Sequence, residues 1–366
     1  MISRLVFTLM FFHVCFAAQA QAPKAVLEKV GQHWLELHNH FEDTSDVWGN
    51  YTLDLTLEAL LMSDHYLETD IYTNVIKEVF RKRQTRPSDT INYKSQPFCS
   101  INFTLAEVWG EKTWSAGFIH ESYRMYHQSV KSSEGAIMLN HESKHRVLID
   151  YLQEYASRLA KTGYLTDDHS LYSESVNQFI IYEKLVKNDD TGLWSQGRGW
   201  CEDSTLISQG AWSRGHGWLL RGIVSTMLYL PDEYQSDLLP VLKRLADSIL
   251  KTQAESGMYH ILLNLPPTAS QPDVSGSGMI AFYMALAVQE DWLDAEIYQP
   301  RILKATTAIK EYISDKGEIL SSSKGPGPLC NESEYIGYIP ETDEKHGFQG
   351  AIYGMIAEIL MTHQQK

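Results

Sequence analysis

The spacing of apolar residues predicts helices along nearly the whole chain. Between Arg146 and Leu159, for example, Leu148, Leu152, Tyr155 and Leu159 recur at intervals of three and four residues, which places them on one face of a helix. Comparable patterns predict twelve helices in all: Ala25–Phe41, Leu53–Ser63, Ile71–Arg83, Phe103–Trp109, Ala116–Gln128, Arg146–Leu159, Tyr172–Val186, Trp218–Leu230, Tyr234–Gln253, Met279–Val288, Tyr298–Ser314 and Gly350–His363.

The segments between these helices contain helix breakers but no long linker. Pro266-Pro267 and Gly325-Pro326-Gly327-Pro328 are two such connections. Alternation typical of strands is scarce, and only Met258 to Leu265 suggests a short extended piece. Twelve helices without a change of composition favour six helical hairpins, which bury their apolar faces best by closing into a ring. The pattern therefore predicts an all-α chain that forms a closed α/α barrel.

The first 22 residues have the pattern of a secretory signal peptide. Arg4 precedes an apolar run from Leu5 to Phe16, and Ala18-Gln19-Ala20 follows as a small-x-small cleavage pattern. The apolar run is too short to cross a bilayer comfortably. We therefore expect residues 1–22 to be removed, a protein that is secreted or periplasmic, and a single catalytic domain over residues 23–366.

The amino-acid composition limits the classes of partner and cofactor that we expect for this chain. The chain has 46 Asp and Glu against 31 Lys and Arg, a formal net charge of −15, which argues against nucleic acid and membranes as partners. A local basic pocket for an anionic substrate remains compatible with this charge, because distant charges are screened. Outside the signal, Cys99, Cys201 and Cys330 allow at most one disulfide. No Cys-x-x-Cys pair is present, and we predict no metal or organic cofactor.

The run from Ala211 to Trp218 concentrates the candidate binding residues. Trp212, Arg214, His216 and Trp218 stand there between small residues, and the glycines allow a sharp turn before the predicted helix. An indole suits the face of a sugar ring, and the guanidinium fork of arginine matches a carboxylate. This combination is typical of a site for an acidic sugar. The alternative is an interhelical turn whose tryptophans belong to the core and whose arginine is a surface charge.

Asp150 is the outlying carboxyl group, because it stands within the apolar stretch from Val147 to Leu152. Burial disfavours the charged form of a carboxyl group and raises its pKa, so that the group becomes a general acid. The alternative is an ordinary helix carboxylate that faces solvent.

Three further segments contain polar residues whose sequence pattern is less specific for a functional site. His141 and His145 have the spacing of a metal pair but lack an HExxH pattern, and we interpret them as polar loop residues. Trp194 and Gln196 lie in a turn-rich loop and are candidates to line a pocket. The glycines of Val274–Met279 suit either a helix N-terminus that binds an anion or tight helix packing.

Together these segments resemble glycoside hydrolase family 105, the unsaturated rhamnogalacturonyl hydrolases, and the related family 88 unsaturated glucuronyl hydrolases. The most specific similarity is that of residues 212–218 to the family signature Trp-x-Arg-Gly-x-x-Trp. The other similar segments follow in the family order: Ser133-Glu134-Gly135 with Asp150, Ser173–Gly197, Ser275–Met279 and Gly347–Gly350.

The resemblance implies an (α/α)6 barrel with the site at one mouth. It also implies an enzyme that removes a 4,5-unsaturated uronic acid from the non-reducing end of oligosaccharides made by polysaccharide lyases. In that reaction an acid protonates C4, water adds at C5, and the resulting hemiketal opens to release the remaining sugar. The separation of two carboxylates therefore need not predict the stereochemistry, as it does in ordinary glycosidases.

The resemblance also assigns roles to residues of this chain. Asp150 would serve first as proton donor and then as base for the water. Arg214 would hold the uronate carboxylate or orient the acid. Trp212 and Trp218 would form walls of the sugar-binding site. Gln196 and His216 would contact hydroxyl groups of the sugar.

The chain departs from the family pattern at three places. Gln196 stands where the family often has His, and Met138-Leu139 replaces an aromatic–His pair before the catalytic helix. A second family aspartate has no secure counterpart, and Asp89 is poorly matched. These departures favour altered uronate and leaving-sugar sites, as in a branch that acts on a sulfated algal rhamnoglucuronan.

Two other classes of function remain alternatives. A polysaccharide lyase on a helical toroid needs a base and a group that neutralises a carboxylate along an open groove, and the Tyr and His residues form no recognisable set of that kind. A carbohydrate-binding relative that has lost catalysis is the non-enzymatic alternative. The pattern does not indicate an oligomeric state.

Overall fold

The computed structural model describes residues 23–38, 51–84, 112–138, 146–337 and 344–363. Several sequence predictions lie outside these residues, namely the signal peptide 1–22, the helix Phe103–Trp109, the weakly matched Asp89, Cys99, and the pair His141 and His145.

Helices dominate the described part of the chain. We label them α1 (23–37), α2 (Tyr51–Leu67), α3 (Ile71–Gln84), α4 (Lys112–Gln128), α5 (Ile149–Thr166), α6 (His169–Val186), α7 (Ser213–Met227), α8 (Asp232–Leu250), α9 (Val274–Gln289), α10 (Ala295–Lys310), α11 (Glu332–Gly337) and α12 (Glu344–His363). Within the described residues, no helix combines the length and apolar character that a membrane crossing requires.

The helices alternate between an inner and an outer layer. The inner helices pack side by side in the order α2, α12, α9, α7 and α5. The outer helices lie against them, with α3 on α2, α6 on α5, α8 on α7, and α10 on α9. Helix α9 is buried along nearly its whole length, as expected for an inner helix that has neighbours on every side. This is the arrangement predicted for an α/α barrel.

Glycines let the inner helices approach one another closely. A Cβ atom at Gly217 would lie 2.7 Å from the Cβ of Met279, and one at Gly278 would overlap the carbonyl oxygen of Gly350. The sequence pattern predicts a turn at Gly215 and Gly217 before a helix that starts at Trp218. That expectation is wrong, because α7 begins at Ser213 and both glycines are helical. Their function is close helix packing rather than a turn.

A short antiparallel pairing determines where α5 begins. Strand β1 (Val147–Leu148) pairs with β2 (Gly197–Arg198). The helix predicted from Arg146 therefore starts at Ile149, because the preceding residues are extended and hydrogen-bonded to β2. Asp150 consequently lies in the first turn of α5, at the end of the helix that faces the loops.

Two smaller features complete the comparison with the sequence. The extended piece predicted over residues 258–265 is present in part, as isolated bridges that pair His260 with Pro272 and Leu262 with Trp212 before a turn at residues 263–264. Helix α11 was not predicted, because its sequence from Glu332 to Gly337 is too short and polar to show a helical period. The other predicted helices within the described residues are present, with ends shifted by a few residues.

Candidate active site

Asp150 lies in the first turn of α5 and is partly shielded from solvent. The main-chain N–H of Ile149 donates to the carbonyl oxygen of Gln196 at 3.1 Å, which holds the first turn of α5 against the residue that precedes β2. The Oδ2 atom of Asp150 is buried and has no hydrogen-bond partner among the described residues. Burial raises the pKa of Asp150 to about 6, although the nearby charge of Arg214 lowers it. Desolvation therefore outweighs the opposing charge, as the sequence analysis expected.

Arg214 is a buried cation beside this acid. It lies in the first turn of α7 with 1% of its surface exposed, and its guanidinium carbon is 4.5 Å from the centre of the Trp212 ring. Its Nη1 atom donates to the Oγ of Ser275 at 2.9 Å and to the carbonyl oxygen of Ser323 at 2.6 Å. The stacked ring and the two bonds fix the position of the guanidinium before any substrate arrives.

The two tryptophans of the signature are almost fully buried. Trp212 precedes the first residue of α7, and its Nε1 donates to the Oγ of Ser323 at 3.0 Å. One face of its ring is covered by Arg214. Trp218 lies inside α7 and is 4% exposed. Of the two, Trp212 is seen to contact Arg214 among the described residues, and a stacking contact with a sugar stays a prediction for both tryptophans.

Gln196 connects the loop after α6 to a later segment. Its Nε2 donates to the carbonyl oxygen of Pro326 at 2.7 Å, and its Oε1 accepts a hydrogen bond from the hydroxyl of Tyr335 at 3.3 Å. The side chain is 3% exposed. The main-chain carbonyl of Gln196 therefore contacts the residue before Asp150, whereas its side-chain amide holds residues 321–331 in place. Its predicted contact with a sugar hydroxyl stays a prediction.

The role predicted for His216 needs revision. Its Nε2 accepts from the main-chain N–H of Trp194 at 3.1 Å, and its Nδ1 lies 2.8 Å from the carbonyl oxygen of Trp212. Because Nε2 is an acceptor, the proton is on Nδ1 and both nitrogens are used. The ring is fully buried, and burial lowers its pKa to about 4. In this arrangement a neutral His216 joins two loops and has no nitrogen left for a sugar.

Sequence reasoning missed Asp273, Ser323 and Tyr335. The Asp-x-Ser pattern before α9 is a helix-cap signal that was available for Asp273. Tyr335 accepts from the main-chain N–H of Leu329 at 2.9 Å and lies near enough to Asp150 for that carboxylate to raise its pKa, after the larger effect of burial. No local pattern marks Ser323, whose partners are far away along the chain.

A disulfide closes the outer side of this region. Cys201 and Cys330 are bonded, with Cα atoms 5.6 Å apart and a sequence separation of 129 residues. The bond connects the loop after β2 to residues 321–331. A groove of about 460 Å³ beside it is lined by both cysteines and by Glu202, Asp203, Leu206, Ile207, Gln209 and Asn331. Among the described residues, no three His, Cys, Asp or Glu side chains are grouped as metal ligands would be.

Comparison with known proteins gives the relatives of this chain. It is 29% identical over 188 residues to the unsaturated 3S-rhamnoglycuronyl hydrolase of Formosa agariphila, a match that spans 46% of this chain and 45% of that protein. A solved structure of a possible member of the GH105 family from Salmonella enterica superposes with a TM-score of 0.76 at 21% identity, covering 94% of this chain and 95% of the other. The unsaturated glucuronyl hydrolase of Bacillus sp. GL1 gives a TM-score of 0.65 at 17% identity, covering 93% and 95%.

These likenesses confirm the fold and the resemblance stated from the sequence. The solved structures share less than a quarter of their residues with this chain, so they show the architecture alone, and the curated relative is matched over about half its length. The family is shown by the model of Glycosyl Hydrolase Family 88, which matches residues 26–363. The chain is an (α/α)6 barrel and belongs to glycosyl hydrolase family 88.

Proposed function

We propose that this protein hydrates the C4=C5 double bond of a terminal unsaturated uronic acid and so releases that residue from oligosaccharides made by polysaccharide lyases. The observation that carries the proposal is Asp150, a carboxyl group whose pKa is raised to about 6 and whose buried Oδ2 has no protein partner in the described residues. Such a group keeps its proton up to about pH 6, well above the range in which an ordinary aspartate loses it, as a general acid must. The activities named for the Formosa agariphila and Bacillus relatives support the substrate class.

The proposed reaction needs one carboxyl group and one water. Asp150 gives its proton to C4, and the positive charge that develops at C5 is shared with the ring oxygen. Water attacks C5 and returns a proton to the Asp150 carboxylate, which regenerates the acid. The hemiketal formed at C5 opens to a ketone, its proton passes to the former ring oxygen, and C1 then expels the remaining sugar as an alcohol. One water is consumed for each glycosidic bond broken.

Arg214 has two possible tasks in this scheme, and the geometry favours one of them. The substrate carboxylate is attached at C5, so a cation near Asp150 is placed to bind it. The guanidinium is, however, 1% exposed and already bonded to Ser275 and Ser323. Orientation of Asp150 by charge therefore needs no rearrangement, whereas direct contact with the uronate needs the substrate to reach a buried group.

The experiment follows the ultraviolet absorbance of the conjugated double bond. Lyase-made oligosaccharides from pectin, ulvan and glycosaminoglycans are incubated with the protein, and products are identified by mass spectrometry. A fall in absorbance with release of a shortened sugar supports the proposal and identifies the polysaccharide. A rise in absorbance on intact polysaccharide would show a lyase instead. Saturable binding without any change in absorbance would show a non-catalytic carbohydrate-binding protein.

We also propose that the mature protein is exported. The signal pattern over residues 1–22 and the disulfide between Cys201 and Cys330 support this, because structural disulfides persist mainly in oxidising compartments. The N-terminus of the protein recovered from fractionated cells of its own source is measured by mass spectrometry. We expect it to begin near residue 23 and to occur outside the cytoplasm. Recovery with Met1 in place and reduced cysteines would contradict export.

A further inference from the structure

A second aspartate, Asp273, is connected to Arg214 through serine hydroxyls and is not part of the reaction just described. Asp273 is fully buried immediately before α9 and accepts five hydrogen bonds. Its Oδ1 accepts from the main-chain N–H of Ser275 at 3.1 Å, from the hydroxyl of Ser275 at 2.6 Å, and from the main-chain N–H of Ser323 at 3.1 Å. Its Oδ2 accepts from the hydroxyls of Ser213 at 2.8 Å and Ser323 at 3.1 Å. A helix cap needs only the first of these bonds.

The direction of these bonds connects Asp273 to the site. A serine hydroxyl has a single proton, and Ser275 and Ser323 both donate theirs to Asp273. Their lone pairs are therefore left to accept, from Arg214 Nη1 at 2.9 Å and from Trp212 Nε1 at 3.0 Å. One hydroxyl thus separates the Asp273 carboxylate from the guanidinium, and another separates it from the indole.

Three parts of the chain meet at this carboxylate. Ser213 begins α7, Ser275 lies in the first turn of α9, and Ser323 belongs to residues 321–331. The close approach of α7 and α9 requires glycine at position 276, where a Cβ atom would collide with the Ser213 hydroxyl. The carboxylate is therefore enclosed by groups that all orient their protons towards it.

Arg214 is consequently near the charge of Asp150 and connected through the Ser275 hydroxyl to Asp273, two carboxyl groups with different surroundings. Asp273 is saturated with hydrogen bonds, whereas Asp150 Oδ2 has none from the described residues. A guanidinium released from its present partners would be drawn to Asp150 and form a direct ion pair. We propose that Asp273 is a positioning residue that holds Arg214 through Ser275 and Ser323, and thereby keeps Asp150 free to carry the proton that it donates.

The proposal rests on the proposed role of Asp150 as proton donor, and it can be tested by the titration of that group. The titratable groups that face Asp150 in the described residues are Arg214 from α7, Tyr182 from α6 and Tyr335 from α11. Both tyrosines have pKa values raised by burial first, so they are neutral in the pH range in question. Arg214 is then the group whose movement changes the titration of Asp150.

The main variant is Asp273→Asn, which keeps the shape and removes the charge. Released Arg214 would approach Asp150 and lower its pKa by about one unit or more, since an opposite charge in contact has an effect of that size. The alkaline limb of kcat/KM would move to lower pH by the same amount. Asp294→Asn is the matched control, because Asp294 caps α10 with a bond of 2.9 Å to the Glu296 N–H and lies on an outer helix. We expect its pH profile to equal that of the wild type.

A double-variant cycle distinguishes positioning from a direct charge effect. With Arg214→Gln as background, Asp273→Asn should not move the limb further. A shift of equal size in that background, or no shift with Arg214 present, would overturn the proposal. If Asp273→Asn fails to fold, Ser275→Ala takes its place, because it removes the relay hydroxyl and leaves the charge. It should shift the limb in the same direction by a smaller amount, and an unchanged limb counts against the proposal.

The same question can be answered without turnover. The carboxyl carbon of 13C-labelled aspartate is titrated by NMR, and Asp150 is identified by the signal lost in Asp150→Asn. A lower pKa of Asp150 in Asp273→Asn supports positioning even if no substrate is turned over, so that failure of the proposed function and failure of this inference have different signatures. An unchanged Asp150 titration would refute the inference.

Discussion

At the scale of the residue, the chemistry of Asp150 is determined by competition between burial and a neighbouring charge. Burial disfavours the carboxylate, and Arg214 favours it. Because burial has the larger effect, the pKa of Asp150 is raised to about 6, so the group can both donate and accept a proton in mildly acidic solution. Every element that contacts Arg214 therefore influences Asp150 without touching it.

Asp150→Asn should lower kcat by roughly 10²–10⁴-fold, towards the upper end because one group acts as both acid and base. The matched control is Asp167→Asn, at the far end of the same helix, where the side chain is 96% exposed and the backbone is left-handed. Activity is measured by loss of double-bond absorbance, and folding by circular dichroism. Retention of more than about a tenth of the wild-type rate, judged against this expected loss, would remove Asp150 from the mechanism.

The pH dependence of kcat/KM should have its alkaline limb near the Asp150 pKa of about 6. Activity requires the protonated acid and falls as pH rises through that value. Arg214→Gln removes the charge that lowers this pKa, so the limb should move to higher pH. The raised pKa also has a consequence for stability. Because the pKa of Asp150 in the folded chain exceeds its ordinary value of 3.8, this group's contribution to stability is lost as pH rises from about 4 to about 6. A limb that does not move in Arg214→Gln would show that the two side chains are not coupled.

At the scale of the element, residues 321–331 complete the site although they contain no catalytic group. They supply the Ser323 carbonyl to Arg214 and the Pro326 carbonyl to Gln196, and Cys330 ties them to Cys201. The inner helices also contribute to the site. They pack closely near their N-terminal ends because glycine at the contact positions leaves room for the neighbouring helix.

Replacement of Cys201 and Cys330 by Ser should lower both stability and activity. Removal of a native disulfide costs about 2–5 kcal/mol, towards the upper end for a loop of this length, which corresponds to a Tm decrease of about 3–7 °C for a chain of this size. We also expect lower kcat/KM, because the segment that holds Arg214 and Gln196 loses its covalent anchor. Reductant should reproduce both effects in the wild type and have none in the double variant. Equal activity with and without the bond would show that hydrogen bonds alone position the segment.

Gly278→Ala should destabilise the barrel by about 1–3 kcal/mol, towards the upper end because the new methyl group meets a main-chain oxygen that cannot move aside. Gly117→Ala is the matched control, since it lies in helix α4 with nothing within 4 Å of the new atom. There alanine should stabilise the helix by about 0.5–1 kcal/mol. Thermal unfolding measures both, and similar Tm values for the two variants would contradict the packing argument.

At the scale of the whole molecule, a buried ionic cluster joins inner helices that are far apart in sequence. Arg221 of α7 contacts Glu58 of α2 at 3.0 Å and Glu154 of α5 at 3.8 Å, and also donates to Gln153. Arg221 lies about two helical turns along α7 from Arg214. The cluster connects α2 to α5 through α7 and so helps to fix the shape of the ring.

Arg221→Met should be strongly destabilising, because it removes the cation that pairs with Glu58 at 3.0 Å inside the barrel and leaves Glu154 with Arg158 alone. Loss of one partner from a buried pair costs about 3–5 kcal/mol, or a Tm decrease of about 4–7 °C here. Arg244→Met is the control, since Arg244 makes an ion pair of 2.7 Å with Glu183 while its side chain is 54% exposed. Exposed pairs contribute at most about 1 kcal/mol. A Tm decrease no larger than that of the control would mean that water enters the barrel and solvates the carboxylates.

The sequence by itself determined the helices, their pairing into hairpins, the order of the family motifs, and Asp150 as the outlying acid. These conclusions depend on local periodicity and on residue type, which the chain displays directly. Even there, the beginning of α5 at Ile149 rather than Arg146 was decided by pairing with β2, a contact between distant residues.

Only the tertiary structure decided what surrounds the acid. The glycines of the signature suggested a turn, yet they serve helix packing, because the partner helix α9 was not visible from local sequence. His216 has the chemistry of a sugar contact, yet both nitrogens are used inside the protein. Ser323 is 109 residues from Arg214, and Pro326 is 130 from Gln196. Hydrogen-bond satisfaction across such separations is a property of the folded chain, and no local pattern encodes it.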